Sequence, residues 1–368
     1  MEMGSIRRVE SVRIHRNYKR AAKVASLQHV NDSMKGIRRK RKGNGFTFTV
    51  DGVKIANSTT LQRIKKLAIP PAWTDVWICS KDNGHLQATG FDLLGRKQYK
   101  YHQDWNIVRN QTKFQHLYEF GNALPQLRKR IEKDLASSEL TKEKVLATVV
   151  KLMERTLIRV GSNEYEKLYG SYGLTTMKDG HVNINGTSLS FSVKGKKGIY
   201  HSVTIKNKRL ARIVKACRDI PGKELFQYMD GDGVRRSIDS GMVNEYIQET
   251  TDKNFSAKDF RTWAGTLAFL NCLKSLVRRR LPKVGVDKPS TQNDIKKNIL
   301  DTLDEVSARL GNTRAICRKY YVHPQIITLY EENKLSGYLD ELDDGETNKD
   351  IVGLSPDEKV LMRILKTL

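Results

Sequence analysis

The feature that most limits the fold is a change of hydrophobic period near residue 110. Before it, apolar residues alternate with a period of two. After it, the period is 3.6. One layer cannot serve both patterns. The chain is therefore expected to form an α+β fold, with a small β-rich N-terminal domain over 36–110 and a larger, mainly helical domain over 111–368. Residues 1–35 are read as a basic arm. A length of 368 residues suits two domains.

The N-terminal pattern is explicit. FTFTVDGVKI contains Asp51-Gly52, a hairpin turn signal between alternating apolar residues. A helical stretch follows over Thr59–Lys66 and is stopped by Ile69-Pro70-Pro71. VWICS, HLQATGFD and KQYKYH read as short strands. Beyond 110, Val145, Leu146, Val149, Leu152, Met153 and Leu157 mark one helix face. A β interlude over 180–206 places HVNI, TSLSFSV and IYHSVTI in three strands, with turns at Asn185-Gly186 and GKKG. Helices resume near 208, 241, 257 and 288. The acidic stretch 339–357 reads as a loop before a last helix at 356–367.

The formal charge is +25. Folding does not require such an excess, whereas holding a polyanion does, so a nucleic-acid partner is expected, although a ribosome-associated or membrane-surface protein would carry such charge too. Residues 1–42 hold thirteen Lys or Arg against three acids. Residues 1–30 read as a solvated arm, and the run Arg38-Arg39-Lys40-Arg41-Lys42 either as more of that arm or as a phosphate-contacting edge. The four cysteines have no C-x-x-C spacing and no neighbouring His pair, so a zinc site is not expected and the thiols read as reduced, in a cytoplasmic protein. No apolar run nears the roughly 18 residues of a membrane span, and the N-terminus lacks the apolar core of a secretory signal.

Nucleotide and metal motifs are also missing. There is no G-x-x-x-x-G-K-S/T, no H-E-x-x-H and no tight acidic cluster. No cofactor is expected. Phosphoryl transfer without a metal needs a nucleophile, cations for the non-bridging oxygens and an acid for the leaving oxygen. Arginine suits the second task through its planar, permanently charged fork, and lysine suits the third. Arg159 lies at the end of an apolar helix in TLIRVGSNEY. Lys196 lies at a hairpin tip in SVKGKKG. Arg261 opens an apolar helix in KDFRTWAGTLAFL. Asn312 and Tyr321 fall in GNTRAICRKYYVHP, before Pro324 ends a helix. Each has a plain alternative taken singly: a salt-bridged helix end, a turn lysine, a core tyrosine. Their order and spacing carry the argument.

That order, Arg, hairpin Lys, Arg, Asn, Tyr, resembles the core shared by type IB topoisomerases and tyrosine recombinases. IRVGSNEY, Gly195-Lys196, KDFRT, and GNT followed by RKYY match the poxvirus-like type IB enzymes most closely, with nine positions from Asn312 to Tyr321. GRKQYKYH resembles a DNA-contacting strand of that family, and IPPAWTDVWIC with HLQATG looks like its bacterial branch. The resemblance implies a monomer that holds duplex DNA between its two domains and relaxes supercoils without ATP or metal. Tyr321 would attack the scissile phosphate, and Arg159 and Arg261 would clamp its non-bridging oxygens. Asn312, where poxvirus members have His, would donate to one of them. Lys196 would protonate the departing 5′-oxygen. Arg96, Gln98, Tyr99, Tyr101, Tyr165 and Lys258 would contact DNA, with Tyr99 and Tyr101 on one strand face and Gln98 on the other. A tyrosine recombinase, which usually has H-x-x-R where this chain has Lys258-x-x-Arg261, and a non-catalytic nucleoid protein are the rival readings.

Overall fold

A computed structural model describes residues 17–43, 45–93, 95–195, 198–280, 291–343 and 351–368. The chain divides into two compact units, Met1–His116 and Leu117–Leu368.

In the first unit, α1 (Tyr18–Val24) is followed by β1 (Ile37–Lys42), β2 (Gly45–Val50), β3 (Val53–Lys54), α2 (Ser58–Lys66), β4 (Thr74–Ile78), β5 (Leu86–Phe91) and β6 (Lys97–Tyr101). The strands form one antiparallel sheet in the order β3-β2-β1-β4-β5-β6. Asp51 and Gly52 are the two loop residues between paired Val50 and Val53, with φ +46° and +85°, the left-handed pair that a tight hairpin demands. Ile37, Ile64, Val76, Ile78 and Ala88 pack as the core between the sheet and α2.

The N-terminal arm departs from expectation. Residues 1–16 lie outside the described residues, but Asn17 caps α1 by accepting from the Arg20 N–H, and Ala21, Ala22, Ala25 and Leu27 are buried against Trp105 and Val108. Small side chains on one helix face allow that close packing. A bridge from Gln28 to Gly84 ties the following segment to the same unit. The basic run forms β1. Only Ile37 and Arg38 pair with β4, so 39–42 keep one open side. Arg39 is not available on it: its guanidinium donates to the carbonyls of Ile69, Pro70 and Trp73 and lies over Phe46.

Helix α3 (Gln103–Leu135) carries the chain into the second unit. There follow α4 (Lys142–Thr156), α5 (Asn163–Tyr169), β7 (Val182–Asn185), β8 (Ser188–Lys194), β9 (Tyr200–Lys206), α6 (Lys208–Arg218), β10 (Gln227–Met229), β11 (Arg235–Ser237), α7 (Ser240–Thr251) and α8 (Ala257–Arg280). The chain closes with α9 (Gln292–Leu310), α10 (Arg314–Tyr320), α11 (Pro324–Glu331), α12 (Ser336–Asp340) and α13 (Pro356–Thr367). The expected three-stranded sheet is present in the order β7-β8-β9. Its first turn is shifted by one: Asn185 pairs with Ser188, so Gly186 and Thr187 form the loop. The apolar face of α4 is buried through Val145, Leu146, Val149, Leu152 and Met153. Pro324 begins α11 instead of closing a helix, since proline's missing N–H costs nothing in a first turn. The acidic stretch is partly built in: α12 enters it, and Asp357 accepts from the Asp343 N–H at 2.7 Å. Among the described residues, no helix is long and apolar enough to cross a membrane.

Candidate active site

Four segments distant in sequence meet in the second unit. Helix α4 ends at Thr156, and Leu157 adopts a left-handed φ of +57°. Arg159 is therefore not on the helix, as the apolar pattern suggested, but in the extended segment beyond it. The Arg159 and Val160 carbonyls accept from the Leu174 and Thr175 N–H groups at 2.9 and 2.7 Å, which pins that segment. Arg159 donates to Asn312 Oδ1 at 2.7 Å and to the Gly311 carbonyl at 3.2 Å. Burial, and then the nearby charge of Arg261, bring its pKa down to about 10, so it stays a cation at neutral pH.

Arg261 sits in the second turn of α8 and is 4% exposed. Its fork donates to the Leu157 carbonyl and, at 2.6 Å, to the Leu310 carbonyl. Both carbonyls lie at helix C-termini, where backbone acceptors are left over and partial negative charge collects. Burial lowers its pKa, against a raising effect of Tyr321. Among the described residues no carboxylate pairs with Arg159 or Arg261. Arg261 Nε has no hydrogen-bond partner.

Asn312 lies between α9 and α10. Because arginine only donates, the atom facing Arg159 must be the amide oxygen, which leaves Nδ2 as a buried donor without a partner. Tyr321 is the C-cap of α10 and half-buried. Its ring stands 5.2 Å from the Arg261 guanidinium carbon, and its phenol acts to raise the pKa of both Arg159 and Arg261. Two residues of α8 hold it there. Thr266 Oγ1 donates to the Tyr321 carbonyl at 3.1 Å. Gly265 leaves room: a Cβ there would lie 2.8 Å from that carbonyl oxygen and 3.0 Å from the Tyr321 Cβ. Lys196 lies outside the described residues. The flanking β8–β9 hairpin is closed by the Gly195 N–H donating to the Ile199 carbonyl at 2.8 Å.

This cluster presents two unneutralised guanidiniums, a spare amide donor and a phenol at one point. It is suited to a phosphodiester anion. Among the described residues no group of three or more His, Cys, Asp or Glu could hold a metal ion.

The family described as eukaryotic DNA topoisomerase I, catalytic core, matches residues 97–344. The chain belongs to the type IB DNA topoisomerases. The family described as bacterial DNA topoisomerase IB, N-terminal domain, matches residues 45–92. The chain is 32% identical over 305 residues to the DNA topoisomerase 1B of Acanthamoeba polyphaga mimivirus, covering 82% of this chain and 89% of that one. It is 24% identical over 277 residues to the DNA topoisomerase 1B of Vaccinia virus (strain Copenhagen), covering 74% and 81%.

The other expected contact residues of this topoisomerase fall in several settings. Tyr99 and Tyr101 are 48% and 41% exposed on β6, their rings stacked at 6.0 Å. Arg96 is held by Asp92 at 2.6 Å, and Gln98 Nε2 donates to the same carboxylate at 2.9 Å. Lys258 is exposed on the first turn of α8. Tyr165, on α5, packs near Tyr169 at 5.5 Å between ring centroids. Sequence reasoning missed Gly265, Thr266 and His201. Two signals were available. A glycine inside an apolar helix pattern costs about 1 kcal/mol and needs a packing reason. His201 shares the buried register of β9 with Ile205.

Proposed function

We propose that Tyr321 is the nucleophile of DNA strand cleavage in this topoisomerase. Its hydroxyl oxygen bonds to the scissile phosphorus and releases its proton to solvent, the bond from phosphorus to the 5′-oxygen breaks, and a 3′-phosphotyrosyl link forms. Arg159 and Arg261 take the two non-bridging oxygens, exchanging their backbone carbonyl acceptors for an anion. Asn312 Nδ2 donates to one of these oxygens. Lys196 gives the 5′-oxygen its proton. The freed 5′-end rotates, and reversal of the step reseals the strand, so neither ATP nor a metal is consumed. The observation that supports this best is the Tyr321 phenol standing beside Arg159 and the buried Arg261, neither of which a carboxylate neutralises among the described residues.

Tyr99, Tyr101, Gln98, Arg96, Tyr165 and Lys258 are proposed to contact the duplex, Arg96 by way of a guanidinium that Asp92 already holds. The enzyme is proposed to act as a monomer on the chromosome, within the cytoplasm.

Plasmid relaxation in EDTA without nucleotide, with the adduct trapped by denaturant, tests the reading. Tyr321→Phe should abolish the adduct while DNA binding persists, and Tyr320→Phe should stay active. Lys196→Ala should slow cleavage of ordinary DNA but spare a substrate with sulfur at the 5′ position, since a thiolate leaves without a proton. An adduct that survives Tyr321→Phe overturns the assignment.

A further inference from the structure

The ring of His201 sits where three parts of the site meet. It is 7% exposed, and its Nε2 lies 3.4 Å from Arg159 Nη1. On one side is Gly195, the residue before Lys196, where a Cβ would come within 2.8 Å of His201 Cδ2. On the other is Gly311, the residue before Asn312, where a Cβ would overlap Cε1 and Nε2 of the same ring. Two glycines thus make room for one imidazole, and each immediately precedes a residue assigned to the chemistry. Gly311 has a second reason to be glycine, its φ of +59°. Gly195 does not have a left-handed φ, so space for the ring is its reason.

Arginine has no acceptor. Nε2 can therefore meet Arg159 only through a lone pair, which requires a neutral imidazole protonated at Nδ1. The surroundings favour that form. Burial, and then the charges of Arg159 and Arg261, push the His201 pKa down to about 4. An imidazolium there would be a third cation beside two guanidiniums.

We propose that His201 is a positioning residue of the cleavage reaction: a neutral imidazole that accepts from Arg159 and, wedged between Gly195 and Gly311, sets the spacing of the arginine, the lysine hairpin and the asparagine turn. The proposal rests on the assignment of Arg159, Lys196 and Asn312 given above. It goes beyond that assignment by naming what keeps them in register. The plain alternative is a core histidine that only fills volume.

Glutamine and methionine separate the two, because both are long and flexible and only glutamine can accept. Single-turnover cleavage is measured at saturating DNA with His201→Gln, His201→Met and His201→Ala, alongside melting curves and DNA affinity. The expected result is a Gln variant close to wild type, with Met and Ala slowed about tenfold to a hundredfold at unchanged DNA affinity. In an Arg159→Ala background, His201→Met should add little further loss, since the two residues act together. Equal rates for the Gln and Met variants overturn the proposal, as does a loss that merely follows the folded fraction in all three. Tyr321→Phe is run in parallel. If it still forms the adduct, the site assignment itself has failed. If it does not, and Gln equals Met, only the role of His201 has failed.

Discussion

Arg128 and Arg261 are both buried arginines of the larger unit, 8% and 4% exposed, and they are satisfied in opposite ways. Arg128, on α3, pairs with Glu154 and Glu358 at 2.7 Å and donates to the Gly353 carbonyl at 2.6 Å. Glu358 also accepts from Trp263 Nε1 at 3.0 Å, so the pair fastens α13 to α8. Burial opposes the charge on Arg128, but the two carboxylates outweigh it and its pKa rises. Among the described residues Arg261 donates to backbone carbonyls and pairs with no carboxylate, and its pKa falls. A buried cation with its counter-ions built in is structural. One left with neutral acceptors has charge to spare for an anion that arrives later. The same contrast separates Arg96, held by Asp92, from Arg159.

The largest effect should come from breaking the structural pair. Arg128→Met strands the buried Glu358 and should cost about 3–5 kcal/mol of folding stability, read by denaturant unfolding, with cleavage per folded molecule unchanged. The pair also sets a pH dependence. Burial raises the Glu358 pKa, but Arg128 more than offsets this and holds it below the ordinary 4.5. Its contribution is therefore present above that value and lost as pH falls through the lower folded value. Wild type should lose stability there more steeply than Glu358→Gln. A flat comparison would break the contrast from the structural side.

Arg261→Ala is its mirror image. Cleavage at saturating DNA should fall about a hundredfold to a thousandfold, as for loss of an oxyanion donor. Stability should change less than for Arg128→Met, by about 1–3 kcal/mol, since two carbonyls lose a charged donor but no carboxylate is stranded. An Arg261→Ala enzyme that unfolds like Arg128→Met while cleaving normally would show that the two arginines do the same job.

Gly265→Ala sharpens the comparison at one remove. The new methyl favours the helix by about 1 kcal/mol, yet it presses on the Tyr321 backbone. Melting should stay close to wild type while cleavage falls about tenfold or more. Unchanged cleavage would mean that Tyr321 has slack the packing does not suggest. The smallest effect is expected in the other unit. Replacing Tyr99 and Tyr101 together by Ala should weaken DNA binding about tenfold, near 1.4 kcal/mol for two exposed contacts, without changing the saturated cleavage rate. Wild-type affinity would remove β6 from the interface.

Local pattern determined a great deal of this protein. The Asp51-Gly52 turn, the alternation in β6, the apolar face of α4 and the three-stranded interlude follow from periods of two and 3.6 that act over a few residues. The order Arg159, Arg261, Asn312, Tyr321 was equally legible as a string. Tertiary structure alone decided how those residues meet. Arg261 reaches carbonyls 104 and 49 positions away, and Arg159 reaches Asn312 across 153. No local period encodes such distances, because they depend on how whole helices pack. The same holds for Leu157, whose left-handed turn takes Arg159 off its helix, and for α1, whose alanines became core only once Trp105 lay against them. Charge is the clearest case. Composition counts 66 basic residues as equals. Only the fold gives Arg128 its carboxylates and leaves Arg159 and Arg261 without any among the described residues, because the energy of a buried cation depends on what stands within a few ångströms of it.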